Sequence, residues 1–385
     1  MTIRAETIDV RTILITALAT VGICDVAFGL TLQLQPLLME ARGIPAWLIG
    51  LNATMGAIGI LAIGPFLPRI VARFGSKRVA AVAILAILAT LLAMPAVTPP
   101  YWWFPLRFVV GMAIGSLFAV SETWILSIAT EENRGRLMGI YTSVLSVTFA
   151  TGPMILPFTG IEGWMPWLIC AACVAMGLIP LATINAPEVS EQGGEGRFLE
   201  VLGRAPLLFA CVAAATLFDS ILISFFTIFA ERNGTEFARA SWLLAAGIIA
   251  GVALFYPIGM LADRWSKPGT VILTSSLTIA TALALEPLLP TVWAWPLVVA
   301  FITSAFGVYV VALAVIGDIF KGKDMVAASA AVAAMWGVGG IIGPPVAGNL
   351  IDTYGINVFP AVLAAIYALV VIAISLNRFQ ISRQP

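Results

Sequence analysis

The sequence contains no histidine, and charged residues fill only 10% of its 385 positions. Without histidine the chain lacks the commonest zinc ligand, the usual general base, and the Ser/His and Cys/His arrangements of nucleophilic catalysis. A soluble domain is about a quarter charged. A chain this poor in charge has too little polar material to cover a water-facing surface, which excludes a cytosolic enzyme, a secreted scaffold and a disordered protein. The 20 basic and 20 acidic residues cancel, so no basic surface awaits nucleic acid. Cysteine is scarce. Cys24, Cys170, Cys173 and Cys211 all lie in apolar runs. The C-x-x-C at 170–173 has no other metal-type ligand nearby and reads as two small apolar residues. The Gly-x-x-x-x-Gly-Lys-Ser/Thr phosphate loop, the nucleophile elbow and Asp-rich metal motifs are all missing. ATP drive and enzymatic chemistry therefore have no support, and no metal or organic cofactor is expected.

Apolar residues are abundant. They make up 61% of the chain, and the mean hydropathy is +1.03. A helix crosses a bilayer with roughly 20 apolar residues. The chain divides into twelve such runs, at 12–38, 46–68, 79–97, 102–128, 137–158, 164–184, 206–230, 241–261, 270–289, 293–316, 325–348 and 358–377. The runs are continuous rather than alternating, which argues against a β-barrel. A backbone in lipid must satisfy its own hydrogen bonds, so each run is expected to be helical. The first run leads straight into a second and lacks a small-residue cleavage site, unlike a cleaved signal peptide.

Charge gives the run count an independent test, because cytoplasmic loops collect Lys and Arg. With both termini inside, sixteen of the twenty basic residues fall on the inner side. Arg42, Arg232 and Arg239 fall on the outer side, and Arg107 lies within the fourth run. The expectation is a multi-pass protein of the cytoplasmic (inner) membrane with both termini cytoplasmic.

The longest polar stretch follows the sixth run and is rich in Gly, Glu and Ser. It divides the chain into an N-terminal six-helix half at 1–185, a cytoplasmic linker at 186–205 and a C-terminal half at 206–385. The halves rhyme. Asp25 and Asp219 lie near the middles of the first and seventh runs. Gly111 precedes Glu122, and Gly307 precedes Asp318, by eleven residues each. Gly152-Pro153 in the fifth run answers Gly343-Pro344 in the eleventh. The fold class expected is all-α integral membrane, with twelve transmembrane helices in two pseudo-symmetric six-helix halves. Such a repeat places a site between the halves near the midplane.

Several short motifs carry a family resemblance. Gly259-Met-Leu-Ala-Asp263-Arg264 follows the eighth run; its first-half copy keeps Arg73, Gly75 and Lys77 but has Pro68 and Ala72 at the glycine and aspartate positions. Arg107-Phe-Val-Val-Gly111 lies in the fourth run, Gly152-Pro153 in the fifth, and Glu132-Asn-Arg134-Gly-Arg136 in the loop between them. In order, spacing and topology the chain resembles the major facilitator superfamily over essentially its whole length. The resemblance implies that Arg107 assists proton transfer or substrate binding. It also implies that Glu122, Asp263, Arg264, Asp318, Arg73, Arg134 and Arg136 form gating contacts at the inner ends of the helices, with Asp263 bonding to helix ends and basic residues when that gate is closed.

The residues themselves supply further candidates. An ionised carboxylate mid-membrane costs at least a few kcal/mol, which marks Asp25 and Asp219 as proton-coupling or substrate residues. Arg107 must pair, snorkel or face water, and Asp25 is one candidate partner. Gln33, Gln35 and Asn52 are amides that could bond substrate or a neighbouring helix. Trp124, Trp242 and Trp336 are candidates to line a cavity. Trp102, Trp103, Trp164, Trp167, Trp293 and Trp295 lie at outer ends and read as the interfacial aromatic belt.

These observations point to a proton-coupled secondary active transporter that moves a small organic molecule by alternating access, leaning to efflux by H⁺ antiport. Single acids suit protons better than sodium, which wants clustered oxygen ligands. One alternative is an H⁺ symporter for a small organic anion or other metabolite. Another is a membrane binding or assembly protein without flux. The partners expected are a small-molecule substrate and lipid, with the chain acting as a monomer.

Overall fold

The structure, a computed structural model, describes residues 10–97, 100–130, 133–183, 198–321 and 323–381. Among the described residues there is no strand, and twelve helical segments have the length and apolarity to cross a membrane. They are built on α1 (Val10–Ala41), α2 (Ala46–Ile63), α3 (Ser76–Ala96), α4 (Trp103–Ser127), α5 (Arg134–Thr151), α6 (Met165–Met176, with the short helix Leu178–Thr183 completing the same span), α7 (Pro206–Arg232), α8 (Phe237–Arg264), α9 (Lys267–Leu288), α10 (Ala294–Ile319), α11 (Lys323–Tyr354) and α12 (Phe359–Ile381).

The breaks follow from local chemistry. After α5, Pro153 lacks the N–H that would continue the helix. The chain passes into a 3₁₀ turn at Pro153–Ile155 and a short helix at Leu156–Thr159. α11 contains Pro344 and Pro345 yet runs unbroken. Between α2 and α3, Leu67–Phe74 forms a short separate helix. Gly75 then reverses the chain at φ 82°, a conformation only glycine enters at no cost. α9 begins with Ser266, whose side chain accepts the Gly269 N–H at 3.2 Å as an N-cap.

The expected linker is helical at its end. Residues 184–197 lie outside the described residues, but Phe198–Arg204 forms a helix with Glu200 in its first turn and Arg204 in its last. Both charges suit the helix dipole. Arg204 pairs with Asp324 at 2.6 Å, docking this helix on α11.

Packing divides the chain into two compact units that do not follow the chain midpoint. One gathers residues up to Thr31, Ile58–Gly152 and those from Glu162. The other gathers Leu32–Ala57, Pro153–Ile161 and residues from Gly193 onward. In the first, α3 packs on α4 and α6. Gly59 and Gly115 let α2 and α4 touch: a methyl on Gly59 would fall 2.3 Å from the Phe108 carbonyl oxygen. In the second, α7 packs on α11, α8 on α10, and α9 on α10 and α12. Gly247 makes room for Ile302 between α8 and α10. Phe218 meets Phe301 edge-on at 4.9 Å in the interior of this unit.

Two of the expected belt tryptophans belong to the core. Trp103 and Trp167 are buried and meet edge-on at 6.0 Å, and Trp103 Nε1 donates to the Met94 carbonyl at 3.1 Å. Trp102, Trp164, Trp293 and Trp295 are exposed, as an interfacial role requires. Trp242 borders a shallow apolar groove with Met154 and Trp295.

Candidate functional site

In the first unit, glycines bring α1 and α5 into contact around Asp25. A methyl on Gly29 would lie 2.1 Å from the Phe149 carbonyl oxygen, and one on Gly152 would lie 2.3 Å from Leu30 N. Asp25 is 2% exposed, and its Oδ2 accepts a hydrogen bond from Thr148 Oγ1 at 3.1 Å. Arg107 on α4 is equally enclosed, and its Nε has no hydrogen-bond partner. The candidate Asp25–Arg107 pair is not formed: among the described residues no ion pair involves either side chain. Asp25 is held by a neutral hydroxyl instead.

The second unit repeats the pattern with α7 and α11. Thr216 Oγ1 donates to the Met335 carbonyl and Ser220 Oγ to the Gly339 carbonyl, each at 2.9 Å. Gly339 and Gly343 permit this approach. Asp219 sits between these hydroxyl residues on α7. It is partly buried, and among the described residues no cation pairs with it.

The amides lie nearer the loop 42–45 end, which the charge rule assigns to the outside. Gln33 is buried, and its Nε2 donates to Thr227 at 2.5 Å and Ser241 at 3.2 Å, while its Oε1 stays unpartnered. Asn52 is also buried, with Nδ2 unpartnered. Gln35 is buried on α1. Gln33 thus spends its donor on holding helices together and keeps an acceptor free.

Two of the tryptophans expected to line a cavity, Trp124 and Trp336, have different surroundings. Trp124 does not line a cavity: it is fully buried and donates to Ser76 Oγ at 3.0 Å, so it fills the core between α4 and the start of α3. Trp336 is 38% exposed. Its Nε1 donates to Tyr309 Oη at 3.3 Å, and the two rings meet edge-on at 5.8 Å. Phe306 touches Tyr309 in turn, and Phe255 touches Phe306. These rings form an aromatic wall across α8, α10 and α11.

The gating candidates lie at the opposite ends of their helices. Asp318 accepts from Lys267, joining α10 to the start of α9. Asp263 and Arg264 are exposed, and among the described residues neither enters an ion pair. Arg73 lies over the Phe74 ring at 5.3 Å. Glu122 and Arg136 are exposed, and the Arg134 side chain lies outside the described residues. The contacts expected of a closed gate at this end are not assembled by Asp263.

Three residues escaped the sequence reading. Asp352 at the end of α11 accepts from the backbone N–H groups of Ala46 and Trp47, each at 2.8 Å. Thr54 Oγ1 lies 3.1 Å from the Ile341 carbonyl oxygen. Glu40 accepts from Arg232. Asp352 and Glu40 sit at helix ends, where carboxylates are ordinarily solvated, and a lone Thr carries no signal. A partner from a distant helix is invisible in one sequence.

The family model described as Major Facilitator Superfamily matches residues 16–308 and 208–384. The chain is 26% identical over 257 residues to the uncharacterized MFS-type transporter YfkF of Bacillus subtilis (strain 168), a match that spans 64% of this chain and 65% of that relative. It is 23% identical over 347 residues to the uncharacterized MFS-type transporter YcaD of Salmonella newport (strain SL254), covering 86% and 87% of the two chains. Among solved structures it resembles the nucleoside transporter NupG, with TM-score 0.76 and 16% identity over 94% of this chain and 98% of that one. It also resembles a bacterial homolog of the human lysosomal transporter Spinster, in its inward-facing and unoccupied conformation. There the TM-score is 0.72 and the identity 14%, over 94% and 92% of the chains.

Proposed function

The chain belongs to the major facilitator superfamily and is a multi-pass membrane transporter rather than an enzyme, and we propose that it couples movement of a small organic molecule to protons by alternating access. The observation that carries this reading is a matched pair of acids without cations. Asp25 and Asp219 occupy corresponding places on α1 and α7, each beside hydroxyl residues, with no ion pair among the described residues. Charge on an enclosed, unpaired carboxylate is costly, while the protonated acid is neutral. Each acid can therefore carry a proton when enclosed and release it when its surroundings open to water.

The substrate class fitted by these surroundings is amphipathic or cationic. Asp219 supplies a charge without a partner, and Tyr309 and Trp336 supply aromatic faces that favour organic cations. The Gly152-Pro153 element leans the direction toward H⁺ antiport, hence efflux across the cytoplasmic membrane. A specific observation favours one second reading: Arg107 is buried, and among the described residues no carboxylate pairs with it, which suits symport of an organic anion. A nucleoside, the cargo named for NupG, would use the free Gln33 acceptor and the free Asn52 donor and belongs in the test panel.

Purified protein in liposomes under an imposed pH gradient, with a pH dye inside, tests the proposal. Addition of cationic, anionic and neutral compounds should trigger proton flux with a compound of one class. Its sign separates antiport from symport. Transport of a labelled compound with no proton movement would overturn the coupling.

A further inference from the structure

α2 begins with a defect. The first four N–H groups of a helix find no partner within it. Pro45 provides the opening carbonyl, accepting from Leu48 and Ile49, but a proline side chain cannot cap. Asp352 does so from another helix. Its Oδ1 accepts the Ala46 N–H and its Oδ2 the Trp47 N–H, both at 2.8 Å. The carboxylate also meets the positive end of the α2 dipole.

α11 has the converse defect. Pro345 has no N–H, so the carbonyl of Ile341, four residues earlier, loses its helical donor. Thr54 of α2 answers it. Its hydroxyl lies 3.1 Å from Ile341 O and equally 3.1 Å from Gly50 O of its own helix, sharing one proton between them. The helices can meet because glycine stands at both contacts. A methyl on Gly50 would fall 2.1 Å from Pro344 O, and one on Gly348 would fall 2.3 Å from Ala46 O.

We infer that this reciprocal seam is the outer closure of the transporter, and that Asp352 and Thr54 are its positioning residues. Each helix completes backbone groups that the other leaves open. Separating them uncaps α2 and strands a carbonyl of α11 at membrane depth, where an unsatisfied group is costly. The closed arrangement is therefore self-reinforcing until water or substrate replaces those bonds. The inference goes beyond proton coupling and does not depend on it.

The test is cysteine labelling of the full chain in right-side-out vesicles with a membrane-impermeant maleimide. The four native cysteines are replaced, and the fully buried Ser241 is made the probe by Ser241→Cys. Tyr101→Cys, exposed in an expected outer loop, reports which end faces the reagent. Asp352→Asn cannot accept both N–H groups, and Thr54→Val keeps the shape but loses the donor. Each should raise Ser241→Cys labelling several-fold. In a Pro345→Ala background, where a backbone N–H can fill Ile341 O, Thr54→Val should add nothing. Unchanged labelling in both single variants would overturn the inference, as would equal acceleration by Thr54→Val with and without Pro345. Labelling of Tyr101→Cys only from the opposite side would overturn the assignment to the outer face. Labelling rates read the seam whether or not transport proves proton-coupled, so failure of one reading leaves the other standing.

Discussion

Thr148 donates its hydroxyl proton to Asp25 across the α1–α5 contact, at 3.1 Å. A hydroxyl stabilises this acid without fixing its charge, because it can donate to the ionised form and accept from the protonated one. An arginine in the same place would have locked the acid ionised.

Asp25→Asn and Asp219→Asn should therefore preserve folding and abolish coupling. The amide oxygen can still accept from Thr148, so the melting temperature should move little. Substrate-triggered proton flux in liposomes should fall at least about tenfold, while substrate exchange without a gradient persists, as expected when a titratable group is lost but binding is not. Full coupled transport in both variants would sink the assignment.

Trp124 and Trp336 should separate stability from transport. Trp124 is fully buried and bonded to Ser76, so Trp124→Ala should cost about 3–5 kcal/mol through the cavity it leaves. Trp336 is partly open and donates to Tyr309 Oη at 3.3 Å. Trp336→Ala should leave the melting temperature nearly unchanged and weaken substrate binding, read as a raised KM. Thermal melts and transport assays on the same preparations check both.

Gly29 and Gly139 make a contrast in packing. A methyl on Gly29 would strike the Phe149 carbonyl at 2.1 Å, whereas nothing lies within 4 Å of one on Gly139. Gly29→Ala should destabilise by about 1–3 kcal/mol through overpacking. Gly139→Ala should be neutral or slightly stabilising, since alanine is the better helix former. Thermal unfolding in detergent distinguishes them.

Asp318 is exposed, and its partner Lys267 stands on the neighbouring helix start. Exposed pairs contribute about 0–1 kcal/mol. Asp318→Asn should therefore change stability within that range and leave the coupling ratio intact. A large loss of transport would instead support the gating role that the family resemblance implies for this residue.

The membrane-spanning class, the helix count and the two matched acids were legible in the chain, because each rests on local quantities. Twenty apolar residues span a bilayer wherever they occur, and an acid inside such a run is conspicuous at once. Other assignments needed the folded chain. Trp102 and Trp103 are adjacent at one helix end, yet one is exposed and the other buried against Trp167. Helix rotation decides this, and uniformly apolar helices carry no amphipathic stripe from which to read rotation. The linker's last residues looked flexible by composition but dock through Arg204 and Asp324.

By itself the sequence determined that this protein lives in lipid, crosses it twelve times and carries isolated acids at matched depths, since transfer free energies act residue by residue. Only the tertiary structure decided what those groups meet: Asp25 a threonine rather than Arg107, Asp352 the start of α2, Thr54 the carbonyl that Pro345 strands. Hydrogen bonds reach only about 3 Å. Which groups come within that reach depends on how helices far apart in sequence are rotated and packed.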